Sequence, residues 1–225
     1  MPGKLIVISG LSAAGKGTIA KELITRYDNF VLSISATTRE KRGNEIDGQD
    51  YFFVTKNEFE DMIKNDELLE YANYVNNFYG TPKKYVNDMI NKNKNVILEI
   101  EMQGALQVKK IFDKAVLIFF IPKDAKTQRE RLISRNRETV EQIEERIRQA
   151  IIDADYAKYY DFIIVNDDIE VAIKDVENIV NGTYDKNKNE QNLKILDKIV
   201  KDIKEEQNVW TIRTRINWYC KWINT

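Results

Sequence analysis

The segment that most narrows the fold is Lys4-Leu5-Ile6-Val7-Ile8-Ser9-Gly10-Leu11-Ser12-Ala13-Ala14-Gly15-Lys16-Gly17-Thr18. Its uninterrupted apolar run suits a strand covered on both faces, as in a parallel sheet. Ile19, Ala20, Leu23 and Ile24 then recur at helical spacing, so the segment predicts strand, loop and helix in succession. The loop has the pattern G-x-x-x-x-G-K. Gly10 and Gly15 permit tight turns, which aim the backbone N–H groups of Ser12, Ala13, Ala14 and their neighbours inward at phosphate oxygens. The positive end of the helix near Lys16 faces the same point, and the Lys16 ammonium adds a mobile charge. The strict pattern has Ser or Thr directly after the lysine; here Gly17 stands there, with Thr18 next. The loop predicts binding of a nucleoside triphosphate.

A chain of 225 residues fits one α/β domain, with room for insertions. Lys+Arg 35 against Asp+Glu 36 gives a net charge of -1, so no global basic surface draws it to nucleic acid or membrane. Anion binding must come from local placement of charge. The single cysteine, Cys220, excludes an intrachain disulfide and multi-cysteine metal sites, which suits a reducing cytoplasm. With no histidine, neither a Ser-His-Asp triad, nor imidazole acid–base chemistry, nor His-ligated zinc is available. No signal segment or membrane-length apolar stretch is visible, so the expected location is cytoplasmic.

Strand and helix patterns alternate, as in a doubly wound α/β sheet. Strands are expected at Leu5–Ser9, Val31–Ser35, Val96–Glu99, Val116–Ile121 and Phe162–Val165, and helices at Gly17–Arg26, Gly104–Ile111, Ala125–Ser134, Val140–Lys158 and Ile169–Val180. Between Ser35 and Val96 the rhythm breaks. Tyr51–Val54, Leu68–Tyr74 and Asn77–Tyr79 read as short antiparallel strands around a helix from Lys56 to Lys64, with another helix after Pro82. Ser134–Glu145 is almost wholly polar, as suits an exposed lid. Asn181–Asn192 reads as a linker.

The broken segment opens with Ser35-Ala36-Thr37-Thr38-Arg39-Glu40-Lys41-Arg42-Gly43-Asn44-Glu45-Ile46-Asp47-Gly48-Gln49-Asp50-Tyr51. Paired arginines with hydroxyls before and a tyrosine after suit a second oxyanion site, since the planar guanidinium matches phosphate oxygens. Further on come Leu69-Glu70-Tyr71, Phe78-Tyr79-Gly80-Thr81-Pro82, Leu98-Glu99-Ile100-Glu101-Met102-Gln103-Gly104, Arg135-Asn136-Arg137-Glu138 and Ile164-Val165-Asn166-Asp167-Asp168. In this order, over about residues 4–180, the chain closely resembles the guanylate kinases.

That resemblance implies a P-loop parallel sheet flanked by helices, with an inserted GMP-binding α+β subdomain and a helical lid. It implies transfer of the γ-phosphate of ATP to GMP with Mg²⁺. On it, residues 1–181 form the kinase-like domain: core 1–35 and 95–181, insertion 36–94, lid about 134–147. Lys16, Arg135 and Arg146 match catalytic positions. Gly10, Ser12, Ala13, Ala14, Gly15, Lys16, Gly17, Thr18, Asn166 and Asp167 match the ATP side. Ser35, Arg39, Arg42, Tyr51 and Tyr79 match positions that hold the GMP phosphate, and Glu45 an acid that orients their loop. Glu70, Thr81 and Glu101 match positions that read guanine. Carboxylates suit that edge, since guanine offers N1–H and N2–H₂ donors beside the O6 acceptor, whereas adenine would set a lone pair against them. Glu99, ending a hydrophobic run, matches an acid that holds Mg²⁺ through water, while Thr18 is expected to bond phosphate. Arg137 stands where the family often has threonine. Arg129, Arg131 and Arg148 suit surface ion pairs.

Residues 182–225 lie beyond the resemblance. Leu193, Leu196, Ile199, Val200 and Ile203 predict an amphipathic helix. The stretch from Val209 to Ile223 mixes aromatic and basic residues, a pattern that also suits stacking on nucleic acid or a membrane interface; it is expected instead to pack on the domain or on a partner subunit, so a homo-oligomer is left open. The expected partners are ATP and GMP. The rivals are a guanylate-kinase-like binding module without catalysis, and a kinase for another nucleoside monophosphate.

Overall fold

The computed structural model describes residues 2–135 and 138–223, with side chains described as far as Gln207. In chain order the elements are β1 (Leu5–Gly10), α1 (Lys16–Arg26), β2 (Phe30–Leu32), β3 (Ala36–Thr37), β4 (Phe52–Phe53), α2 (Lys56–Lys64), β5 (Leu68–Tyr74), β6 (Asn77–Pro82), α3 (Lys83–Asn91), β7 (Asn95–Glu99), α4 (Met102–Ile111), β8 (Val116–Ile121), α5 (Ala125–Ser134), α6 (Val140–Ala154), β9 (Phe162–Val165), α7 (Ile169–Asn181) and α8 (Lys186–Ile223). Among the described residues, β2-β7-β1-β8-β9 form a parallel sheet in that spatial order, and β4-β3-β6-β5 form a second sheet.

The apolar run of β1 is uninterrupted because both of its faces are covered. Leu5 and Val7 join a cluster with Val108, Leu132, Ile147 and Ile199; Ile6 and Ile8 join the opposite one with Ile19, Leu23, Ile173 and Val176. Consecutive side chains of a strand point to opposite faces, so each layer takes every second residue. The register pairs Ile8 of β1 with Glu99 of β7. This brings Glu99 to the C-terminal edge of the sheet beside the loop that leaves β1, where open α/β sheets place their ligands.

The smaller sheet has its own core of Ala36, Phe59 and Leu68, with Phe59 stacked on Phe78 at 5.4 Å between ring centroids. The expected all-antiparallel arrangement needs correcting: β5 and β6 are antiparallel, but β4 runs parallel to β3. The long loop of residues 38–51 gives the chain enough length to return in the same direction.

Two further expectations change. The helix expected over Val140–Lys158 ends at Ala154, and a short 3₁₀ turn follows at Ala157–Tyr159. The expected linker Asn181–Asn192 is mostly ordered structure. Gly182 ends α7 in the left-handed region (φ 74°) and α8 starts at Lys186. Its asparagines have a specific use: Ile163 N–H donates to Asn189 Oδ1 at 2.6 Å, and Asn192 Nδ2 donates to the Ile163 carbonyl at 2.7 Å. These side chains satisfy the free edge of β9, which otherwise offers unpaired backbone groups. Leu196, Ile199 and Ile203 of α8 are buried in the main core as the helical spacing predicts. Val209–Ile223 lies in the same helix, but its packing lies outside the described side chains. Among the described residues no helix is long and apolar enough to cross a membrane.

Candidate active site

The loop after β1 encloses one end of a cavity of about 680 Å³ lined by Gly10, Ser12, Ala13, Gly15, Lys16, Gly17, Thr18, Glu99, Glu101, Met102, Gln103, Arg135, Arg146, Gln149 and Asp153. Its size lies in the range of small-molecule sites. The loop is held from outside. Gly10 (φ 141°) passes so near β8 that a Cβ would lie 2.1 Å from the Phe120 carbonyl, and one on Gly15 (φ 84°) would lie 2.4 Å from Asn166 Nδ2. The Asn166 amide donates to the Ala14 carbonyl at 2.8 Å, and Gln128 Nε2 donates to that of Ser12 at 3.1 Å. With its carbonyls engaged outward, the loop is free to turn N–H groups inward.

Lys16 rests within this loop, its Nζ donating to the Gly10 and Leu11 carbonyls at 3.0 and 3.2 Å. Burial lowers its pKa from 10.5, opposed by the negative charges of Glu101, Glu99 and Asp153. Arg146 approaches from α6: Nη1 donates to Ser12 Oγ at 3.1 Å and Nη2 pairs with Glu138 at 2.8 Å. Arg135, at the end of α5, lines the same cavity, as do Gln149 and Asp153 one and two turns beyond Arg146. Arg137 lies outside the described residues.

A second cavity of about 200 Å³ lies toward the insertion, lined by Leu32, Ser33, Ser35, Asp50, Tyr51, Thr81, Leu98, Glu99 and Ile100. Glu99 borders both cavities. Its pKa is raised by burial in the cleft wall, with Lys16 opposing that rise. Near the smaller cavity Arg39 is only 9 % exposed. It pairs with Glu45 at 2.7 Å and lies 5.3 Å from the Tyr51 ring centroid, and Tyr51 meets Tyr79 edge-on at 6.1 Å. The Arg39 hydrogen bond holds the Glu45 carboxyl below its usual range, helped by the bond from Arg42 N–H at 2.8 Å. The Arg42 residue itself is exposed.

Glu70 is buried on β5, and its Oε1 accepts from Thr81 Oγ1 at 2.6 Å. Burial raises its pKa, and the bond from Thr81 opposes the rise. Glu101 stands at the N-cap position of α4 without a side-chain cap bond, and opens on the larger cavity with Lys16 rather than on the smaller one with Thr81. On the far side, Asp167 pairs with Lys123 at 3.0 Å.

Asp153, Gln149 and Gln128 escaped the sequence reading, although the seven-residue spacing of Arg146 and Asp153 sets both on one helix face. Gln149 donates to Asp153 at 2.9 Å. Of the arginines expected at surface ion pairs, Arg129 pairs with Glu144 and Glu206, and Arg148 with Glu145. Arg131 instead donates to the Asn166 carbonyl at 2.8 Å, bracing the segment that braces the loop.

Comparison with known proteins decides among the folds that carry such a loop. The family model described as "Guanylate kinase" matches residues 2–183. The chain belongs to the guanylate kinase family. It is 42 % identical over 204 residues to a guanylate kinase of Clostridioides difficile, covering 91 % of this chain and 97 % of that one. It is 46 % identical over 183 residues to one of Bacillus cereus, covering 81 % and 89 %. The crystal structure of guanylate kinase from Anaplasma phagocytophilum aligns with a TM-score of 0.59 at 32 % identity, over 80 % of this chain and 86 % of that one. For this guanylate kinase family member, the family model thus covers both cavities and stops just before α8.

Proposed function

We propose that the two cavities are the donor and acceptor halves of one site, with ATP held by the loop after β1 and GMP by the insertion, and that the transferred phosphoryl passes beside Glu99. Guanylate kinases are ATP-dependent GMP kinases, and this member carries the groups that reaction needs. The observation that carries the division is the position of Glu99, which borders both cavities at the sheet edge.

Lys16 leaves the Gly10 and Leu11 carbonyls to meet the β- and γ-phosphates, supported by inward N–H groups from Ser12 to Thr18. Arg135 and Arg146 bracket the γ-phosphoryl from the lid helices; Glu138 keeps the Arg146 fork oriented until the phosphate arrives. An arginine in such a position is worth on the order of 10³-fold or more in rate. Arg39, Arg42, Ser35, Tyr51 and Tyr79 hold the GMP phosphate, with Glu45 fixing the Arg39 guanidinium in its place. Glu70 and Thr81 face the guanine edge, and Glu101 reaches the remaining donors from the wall of the larger cavity, beside Lys16. Asn166 acts by bracing the donor loop, and Asp167 shapes its outer rim.

The acceptor oxygen needs positioning and charge neutralisation rather than covalent help, so the missing histidine is no obstacle. Among the described residues no three or more carboxylate or cysteine side chains gather into a metal cage. Mg²⁺ keeps waters and phosphate oxygens as ligands and needs only an acid such as Glu99 behind them. Mg²⁺ there would neutralise charge on the phosphate oxygens.

Coupled measurement of ADP release with GMP, dGMP, AMP and UMP tests the proposal. Turnover should be strongest with the guanine nucleotides. No turnover with GMP, in the presence of ATP and Mg²⁺, would leave a binding module in its place.

A further inference from the structure

Gly17 has no structural reason of its own to be glycine. It lies in the first turn of α1, its φ is not in the left-handed region, and glycine is a poorer helix former than serine or threonine. The reason lies across the cleft. A Cβ on residue 17 would lie 3.3 Å from Glu99 Oε2 and 3.5 Å from Oε1, so the carboxylate fills the space into which a side chain at 17 would grow. A Ser or Thr hydroxyl would add a further atom beyond that Cβ.

We infer that Gly17 and Glu99 are a matched positioning pair: the glycine makes room for the longer acid, whose carboxylate takes the place of the hydroxyl that follows the lysine in the strict loop pattern. The pairing of β7 with β1 sets the backbone of Glu99 opposite Ile8, so its side chain is the part that adjusts. Reach is therefore set by the length and rotamer of the side chain. An aspartate at 99, shorter by one methylene, would leave a gap over Gly17. A serine at 17 would push the glutamate out of line or take up its oxygens in a hydrogen bond. Together, the shorter acid and the hydroxyl would divide the same volume. The inference rests on the phosphoryl-transfer proposal for its ligand, an Mg²⁺–nucleotide, but not for its geometry.

The experiment is a double-mutant cycle on the full chain with G17S, E99D and G17S/E99D. Electron paramagnetic resonance of free Mn²⁺ reads metal affinity in the presence of ADP. Steady-state turnover reads kcat and the Mg²⁺ concentration at half-saturation, and melting without metal reads the fold. Each single variant should lose about tenfold in metal affinity, the size seen when the surroundings of a ligand are disturbed. The double variant should return to within about threefold of wild type, with kcat rising in parallel. G17S should melt no lower than wild type, since serine is the better helix former. The inference is overturned if G17S keeps its metal affinity within about twofold, or if the losses multiply to about a hundredfold in the double variant. It is also overturned if G17S loses affinity and melting temperature together. Should wild type bind Mn²⁺–ADP yet fail to turn over GMP, the proposed function falls while the metal cycle still decides the pair.

Discussion

Glu70→Gln tests the proposed base reading apart from everything else in the cleft. The carboxylate is buried, and one oxygen already accepts from Thr81 at 2.6 Å, so under the proposed function Oε2 is the atom left for a donor on the guanine edge. Glutamine keeps the volume but replaces one acceptor with an NH₂ group. If the amide oxygen stays with Thr81, the NH₂ confronts the guanine N–H donors; if it flips, the Thr81 bond is lost instead. A charge-assisted bond disappears and a donor is left unpaired, about 3 kcal/mol together, or about a hundredfold in kcat/KM for GMP. AMP gains nothing from the carboxylate, so its kcat/KM should hold and the GMP/AMP ratio should fall by about the same factor. The nucleotide-free fold should move the other way. Burial raises the Glu70 pKa above its unfolded value, so ionisation of Glu70 opposes folding above the folded pKa. Glu70→Gln should therefore melt as high as wild type or higher near neutral pH, and the difference should shrink as pH falls through the folded pKa towards the unfolded one. A GMP/AMP ratio changed by less than about threefold would falsify the assignment of Glu70 to the base.

Lys16→Ala should lower kcat by at least about 10³-fold, the scale of a cation on the transferring group, while calorimetry finds GMP binding nearly intact; near-normal turnover refutes its role. Asn166→Ala strands the Ala14 carbonyl, so stability should fall by about 1–3 kcal/mol in denaturant melts, and an unchanged midpoint would show that the loop needs no brace. Ile203→Ala removes a fully buried side chain from the face α8 shares with α5 and α6; a loss of about 2–4 kcal/mol is expected, and a loss below about 1 kcal/mol would mean α8 is a passive appendage.

The donor loop, the parallel strands and the helical spacing of residues 193–203 were legible because each is a local pattern with a physical period or a fixed turn. What escaped depends on distant chain segments meeting. Nothing near Gln128 or Arg131 in the sequence announces that their side chains reach the carbonyls of Ser12 and Asn166. The asparagine-rich stretch after α7 has the composition of a linker, and only the exposed edge of β9 explains why Asn189 and Asn192 are wanted. The parallel pairing of β3 and β4 was missed for a similar reason, since strands so short carry no alternation to reveal direction. Glu101 shows the complementary limit: its spacing from Glu99 is plain, but which cavity it opens on is set by the start of α4.

The last helix completes a surface begun by the first strand. Leu196, Ile199 and Ile203 share one apolar layer with Leu5 and Val7, and Arg129 ties Glu206 to α5 and α6. A chain emerging from the ribosome as far as Gly182 thus has every residue assigned to the two cavities, yet leaves the apolar side of Ile143, Ile147 and Ile163 open to water. Until α8 arrives, that side is a sticky intermediate of the kind that invites misassembly. α8 therefore bears on how safely this kinase is made, although none of its described side chains lines either cavity.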